Sequence, residues 1–104
     1  MFATACTAGT AVEAPPDDAE LVLGQAVYTS NCASCHRADG AGRRGAALDG
    51  DALPTAYPDP ADQKAMIAQG RRTMPGFDGR LTDEQLDAVV RYTREVLGNA
   101  ATDG

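Results

Sequence analysis

Three parts of this chain carry helix signals, two of them as apolar residues at helical spacing, and no stretch alternates convincingly as a strand would. In the first part Ala19, Val22, Leu23, Ala26 and Val27 fall at i, i+3, i+4, i+7 and i+8. That spacing predicts a helix over residues 18–31 with those side chains on its buried face. Asp17 or Asp18 can cap it, and Glu20 sits in its first turn. In the second part Asp59, Pro60 and Gly70 bracket a short helix over residues 60–69. They read as a cap, a proline at the first helical position and a stop. The third part is the most regular. Thr82 and Gln85 form a capping box, and Leu81 and Leu86 are spaced as a hydrophobic staple. Leu86, Val89, Val90, Thr93, Val96 and Leu97 then make one inward face, with Gly98 as the expected stop.

The remainder reads as loop and tail. Residues 37–58 carry Gly40, Gly42, Gly45 and Gly50 with Pro54 and Pro58, and show no period. A second loop, TMPGFDG, spans residues 73–79. Residues 1–16 are small residues, threonine and proline, without periodicity. The expected organisation is a flexible tail over 1–16, one domain over 17–98 and a short tail over 99–104. The fold class is all-α with long loops, without internal repeats.

Composition sharpens this picture. A domain within 104 residues has one small core, and this one has no tryptophan and only Phe2, Phe77, Tyr28, Tyr57 and Tyr92 as rings. Such a thin, loop-rich core usually needs a disulfide, a metal or a cofactor to hold it. The formal net charge of −6 argues against nucleic acid as a partner, which wants a basic footprint. No stretch approaches the ~18 apolar residues of a membrane span. The opening MFATAC is too short for a complete signal peptide and reads as the trimmed end of one or as a simple start.

The chemistry concentrates in CASCH, residues 32–36, which also holds the single histidine. A structural zinc site wants four ligands, usually as two separated pairs, and here there is one pair with adjacent Cys35 and His36. A redox dithiol wants its C-x-x-C beside a βαβ pattern, and no strands are in view. The third reading is covalent haem attachment, for which C-x-x-C-H is the signature. Two thiols one helical turn apart can each join a porphyrin vinyl group, and the next residue, His36, then projects over the iron. A second axial ligand is then sought among the methionines, a common partner in such proteins. Met1 lies in the tail, and Met66 reads as core filler beside Ile67. Met74, in a loop bounded by glycine and proline, is the candidate.

Taken in order, these pieces resemble the small bacterial mono-haem (class I) cytochromes c over roughly residues 20–97. Gly24-x-x-x-Tyr28-x-x-x-Cys32-x-x-Cys35-His36 looks like that family's first helix and haem motif, continued by Arg37-Ala38-Asp39-Gly40. Met74-Pro75 with Phe77 looks like its methionine loop. Leu81-Thr82-Asp83-Glu84-Gln85 and Val90-x-Tyr92 look like its terminal helix. The resemblance implies three to four helices around one covalently bound haem c, with the first and last helices crossing. Gly24 would lie at the crossing and Tyr92 over it. The family often has Gly-Pro-x-Leu after its haem motif, where a backbone carbonyl receives the histidine ring N–H. Here the stretch is Gly45-Ala46-Ala47-Leu48, which still offers a carbonyl but without proline's stiffness.

The function implied is one-electron transfer by haem bound to Cys32 and Cys35 and ligated by His36 and Met74, with no enzymatic activity of its own. The alternatives are a haem domain or subunit feeding an oxidase or dehydrogenase complex, and a gas-binding or peroxidatic haem protein. Arg37, Arg43, Arg44, Arg71, Arg72 and Arg80 flank the ligand segments, whereas acids crowd residues 13–20, 49–62 and 83–87. That contrast suggests a basic rim for redox partners with an acidic docking face, or arginines that meet the haem propionates. Cys6, behind Ala3-Thr4-Ala5, resembles a lipoprotein cleavage site, which would tether the domain to a membrane. The expected location is outside the cytoplasmic membrane, periplasmic or exported, and the expected state is a monomer.

Overall fold

The computed structural model describes residues 10–100. Cys6, with its expected lipid, lies outside the described residues. The elements are α1 (Ala19–Asn31), α2 (Ala33–His36), α3 (Ala52–Ala56), α4 (Pro60–Gln69) and α5 (Asp83–Arg91). A π-helical stretch (Tyr92–Leu97) and a last turn, α6 (Gly98–Ala100), continue α5 without a break. Among the described residues there is no strand, only isolated bridges such as Arg71 with Met74. The all-α expectation holds.

Local chemistry sets the helix starts. The Asp18 carboxylate accepts from the Leu21 amide at 3.1 Å, and Asp59 accepts from Ala61 at 2.9 Å. Pro60 follows Asp59 at the start of α4, and Gly70 leaves that helix at φ +79°. Thr82 and Gln85 close the capping box in both directions, at 2.8 and 3.1 Å.

Packing is dominated by α1 crossing α5 and the π-helical stretch. Gly24 is the contact point: a Cβ there would lie 2.7 Å from the Tyr92 Cβ and would also strike the Ala88 backbone. Tyr28 and Tyr92, each 1% exposed, meet beside it with ring centroids 5.6 Å apart. Leu21, Val27, Val89, Val90 and Leu97 surround this pair, and Ile67 of α4 and Phe77 of the following loop extend the same core.

Four details differ from the sequence expectation. The buried face of α1 is Leu21, Gly24, Val27 and Tyr28, so Ala19, Val22, Leu23 and Ala26 are exposed. Close approach at a glycine outweighs the apolar count of the opposite face. The stretch 37–58 is not all loop, because α3 buries Leu53; its Pro54 is tolerated in a first turn. The terminal helix does not stop at Gly98, which is helical at φ −61°; the residue is small because the Gly50 carbonyl comes close, 3.2 Å from where a Cβ would be. Finally, part of the expected tail is fastened. The Ala14 amide donates to Gln25 Oε1 at 2.7 Å, and the Tyr92 hydroxyl donates to the Val12 carbonyl.

Candidate functional site

The helix α1 breaks at Cys32, whose amide still bonds the Tyr28 carbonyl at 2.8 Å. One new turn, α2, then places Cys32 before its start, Cys35 within it and His36 at its end. The amides of Cys35 and His36 both return to the Cys32 carbonyl, at 3.2 and 3.0 Å. Both thiols are free of disulfide. Burial, with the neighbouring Cys35 second, pushes the Cys32 thiol up to about 12. Among the described residues no group of three His, Cys, Asp or Glu side chains is placed to hold a metal ion, so the zinc reading lacks its donors.

The chain leaves α2 at Arg37 with φ +70° and ψ +154°, a backbone region used almost only by glycine, which an arginine enters at a cost of about 1–3 kcal/mol. The Tyr28 hydroxyl fixes this corner by donating to the Arg37 carbonyl at 2.6 Å. The same tyrosine therefore supports both the helix crossing and the exit from the motif.

His36 is held by the loop that follows. Its Nδ1 lies 2.8 Å from the Ala46 carbonyl oxygen. A carbonyl only accepts, so Nδ1 carries the proton and Nε2 keeps its lone pair for a metal. Gly45 lies against the ring: a Cβ there would sit 2.5 to 2.9 Å from three ring atoms. Backbone hydrogen bonds hold the loop without proline. Gly45 N donates to the Cys35 carbonyl at 2.8 Å, Gly42 N to that of His36 at 3.0 Å and Leu48 N to that of Gly40 at 2.7 Å. Sequence reasoning anticipated a carbonyl acceptor in Gly45–Leu48 but not that Gly45 makes room for the imidazole.

Met74 lies on the loop after α4, half-buried and packed against the hydrophobic core. It pairs with Arg71 in both directions, amide to carbonyl at 2.9 and 3.0 Å. Between them Arg72 takes φ +55°. Phe77 N and Asp78 N tie the far side of the loop to the Ile67 and Ala68 carbonyls, at 3.0 and 2.9 Å.

The basic residues fall into two groups. Those on helices are engaged: Lys64 by Asp83 and Asp87 at 2.6 and 2.8 Å, Arg91 by Asp18, Glu20 and Glu95 at 2.8 to 3.0 Å, and Arg94 by the Tyr57 carbonyl at 2.7 Å. The loop residues Arg43, Arg44, Arg71, Arg72 and Arg80 are exposed, and among the described residues none of them forms an ion pair. Arg80 stacks over the Phe77 ring at 5.2 Å. Arg37, half-buried, pairs with Asp39 at 3.3 Å.

Two unpaired thiols on one turn, an imidazole whose Nε2 is left available and a cradle without a side chain fit a covalently attached haem. The comparisons agree. Residues 19–92 match the family model described as cytochrome c oxidase, cbb3-type, subunit III. The cytochrome c6 of Leptolyngbya boryana is 36% identical over 76 residues, 71% of this chain and 89% of its own length. The chain belongs to the small mono-haem cytochromes c. The gluconate 2-dehydrogenase cytochrome c subunit of Pantoea cypripedii is 34% identical over 99 residues, which is 82% of this chain but only 22% of that protein. The crystal structure of cytochrome c6 from the diatom Phaeodactylum tricornutum superposes with a TM-score of 0.64 at 27% identity, covering 81% of this chain and 98% of that one.

As a c-type cytochrome the protein is a one-electron carrier rather than an enzyme, and it meets redox partners. Its cofactor is haem c, bound through Cys32 and Cys35. The haem would supply the iron that changes oxidation state; the chain supplies the covalent clamp of Cys32 and Cys35. No helix among the described residues is long and apolar enough to cross a membrane.

Proposed function

We propose that the electron passes through an iron held by His36 Nε2 on one side and by the Met74 thioether on the other. The observation that carries this reading is the contact from His36 Nδ1 to Ala46, which fixes the tautomer and leaves Nε2 available. Support for Met74 comes from its loop, tied at both ends to α4. With both axial positions filled, oxygen or peroxide has no open site, so electron transfer is the simple outcome and the gas-binding reading falls away. The test is the visible spectrum. A sulfur-to-iron charge-transfer band in the oxidised protein, lost in Met74→Ala, supports the assignment; a band unchanged in that variant removes Met74.

The proposed partner presents an acidic face, because the exposed Arg43, Arg44, Arg71, Arg72 and Arg80 form no ion pair among the described residues, whereas Lys64 and Arg91 are paired with carboxylates. The protein acts as a monomer outside the cytoplasmic membrane, with a lipid on Cys6 as the proposed tether; mass spectrometry of the native N-terminus tests that tether. A second reading, a haem domain serving a dehydrogenase, is favoured by the match to the gluconate 2-dehydrogenase subunit. Co-purification with a dehydrogenase subunit would establish it.

A further inference from the structure

The two buried polar residues among those described face each other: Gln63 of α4, 2% exposed, and Thr93 of the π-helical stretch, 3% exposed. Gln63 Nε2 donates to Thr93 Oγ1 at 3.0 Å. The Thr93 hydroxyl spends its own hydrogen on the Val89 and Val90 carbonyls, at 2.9 and 3.0 Å. Gln63 Oε1 accepts from Arg94 at 3.2 Å, and the same guanidinium nitrogen reaches the Tyr57 carbonyl just ahead of α4 at 2.7 Å. No buried side-chain nitrogen or oxygen is left without a partner among the described residues. A fully satisfied polar set inside an apolar core fixes one register, because sliding α4 by even part of a turn strands several groups at once.

What α4 carries at its other end gives this register a use. Gly70 N bonds the Met66 carbonyl at 2.8 Å, and Phe77 N and Asp78 N bond those of Ile67 and Ala68. Gly70 and Gly76 pack backbone to backbone; a Cβ on Gly70 would come 2.5 Å from the Gly76 nitrogen, and one on Gly76 would come 2.7 Å from the Gln69 oxygen. The Met74 loop is thus welded to the last turn of α4 and moves with it. Ile67 and Phe77 supply apolar contact to the rest of the core, but such contact is non-directional and permits sliding, and the pairs of Lys64 with the exposed carboxylates of Asp83 and Asp87 hold α4 only weakly.

We infer that Gln63 and Thr93 are positioning residues for Met74: their hydrogen bond sets α4 against the terminal helix and so holds the thioether where it binds the iron. The inference rests on the Met74 assignment above. Without the bond the loop visits detached positions more often, and an external ligand gains access in proportion to that population.

The test uses the haem-loaded protein with Thr93→Val, which keeps shape and removes the hydroxyl, with Gln63→Leu, and with Thr93→Ser, which restores the hydroxyl. Imidazole is titrated against the oxidised protein, and amide exchange is measured residue by residue. Thr93→Val and Gln63→Leu are expected to bind imidazole about tenfold more tightly than the parent. Amides of residues 71–77 are expected to exchange about tenfold faster in those variants, with those of α1 and α5 little changed and Thr93→Ser close to the parent. Unchanged exchange at 71–77, or acceleration spread evenly over all helices, overturns the inference and leaves the pair a purely structural one. The Met74 assignment fails separately. A parent protein without the sulfur-to-iron band overturns that assignment, and with it the inference about ligation, while the exchange data still show whether the pair holds the loop.

Discussion

Gly24 and Tyr92 touch backbone to side chain: a methyl group on Gly24 would lie 2.7 Å from the Tyr92 Cβ, with the Ala88 backbone closer still. Alanine favours a helix over glycine by about 1 kcal/mol. Here Gly24→Ala is nevertheless expected to destabilise, because the obstacle is backbone and the helices must part. Overpacking of this kind costs about 1–3 kcal/mol. Denaturant unfolding of the haem-loaded protein measures it, and a stabilised variant would contradict the crossing.

A second glycine tests the histidine. Gly45→Ala places its methyl within 2.9 Å of the His36 ring and should tilt the imidazole off the Ala46 carbonyl. The expected result is a shifted spectrum of the low-spin iron and a loss of about 1–3 kcal/mol in stability. Electron paramagnetic resonance of the oxidised variant reads the first effect and chemical unfolding the second.

The cofactor should be part of the folding free energy. With Cys32→Ala and Cys35→Ala the haem has no covalent hold, and a core containing so few rings is left to fold alone. Circular dichroism is expected to show little helix and no cooperative melt. A sharp transition in that apo variant would show that the helices suffice.

Acid should loosen the anchor of α1. Arg91 holds Asp18 below the usual carboxylate range, with the Leu21 amide assisting, and it likewise lowers Glu95. Both carboxylates are lowered in the folded state, so their contribution is complete above the unfolded range of about 4 and fades as pH falls through the folded values. Arg91→Gln removes the shared partner. Its melting temperature should therefore fall less steeply than the parent's between about pH 5 and pH 3. Parallel curves would show that Arg91 is electrostatically idle.

Docking through loop arginines predicts a salt dependence. Electron transfer to an acidic partner should slow as ionic strength rises, since exposed charges are screened beyond about 10 Å at 0.1 M salt. Arg71→Gln with Arg72→Gln should reduce both the rate and its salt slope. Stopped-flow measurements at two ionic strengths suffice, and a flat salt profile would remove the steering.

Where local chemistry decides, the sequence was readable. Asp59, Pro60 and Gly70 bound α4, and Thr82 with Gln85 starts α5, because caps act within one turn. CASCH points to its cofactor because both attachment residues, Cys32 and Cys35, lie three positions apart in one short motif. Periodicity alone selects the wrong face of α1, since that helix is apolar on more than one side; the family resemblance, not hydrophobicity, is what places Gly24 at the crossing. Gly98 has the local signature of a stop, whereas in the fold it makes room for the Gly50 carbonyl, another long-range contact. The pairing of Gln63 with Thr93, thirty residues apart, leaves no local mark, and neither residue type is one that a search for chemistry would select.

The fastening of Val12 and Ala14 to the helix crossing changes how a membrane anchor would behave. A leash from Cys6 is counted to Val12, not to the start of α1. Six residue steps extend to at most about 22 Å. A lipid on Cys6 would therefore keep the body close to the bilayer with the helix-crossing side turned toward it. The cytochrome would turn about a short stalk rather than sweep on a long tether, and its reach to a neighbouring redox protein would be set by lateral diffusion of the lipid.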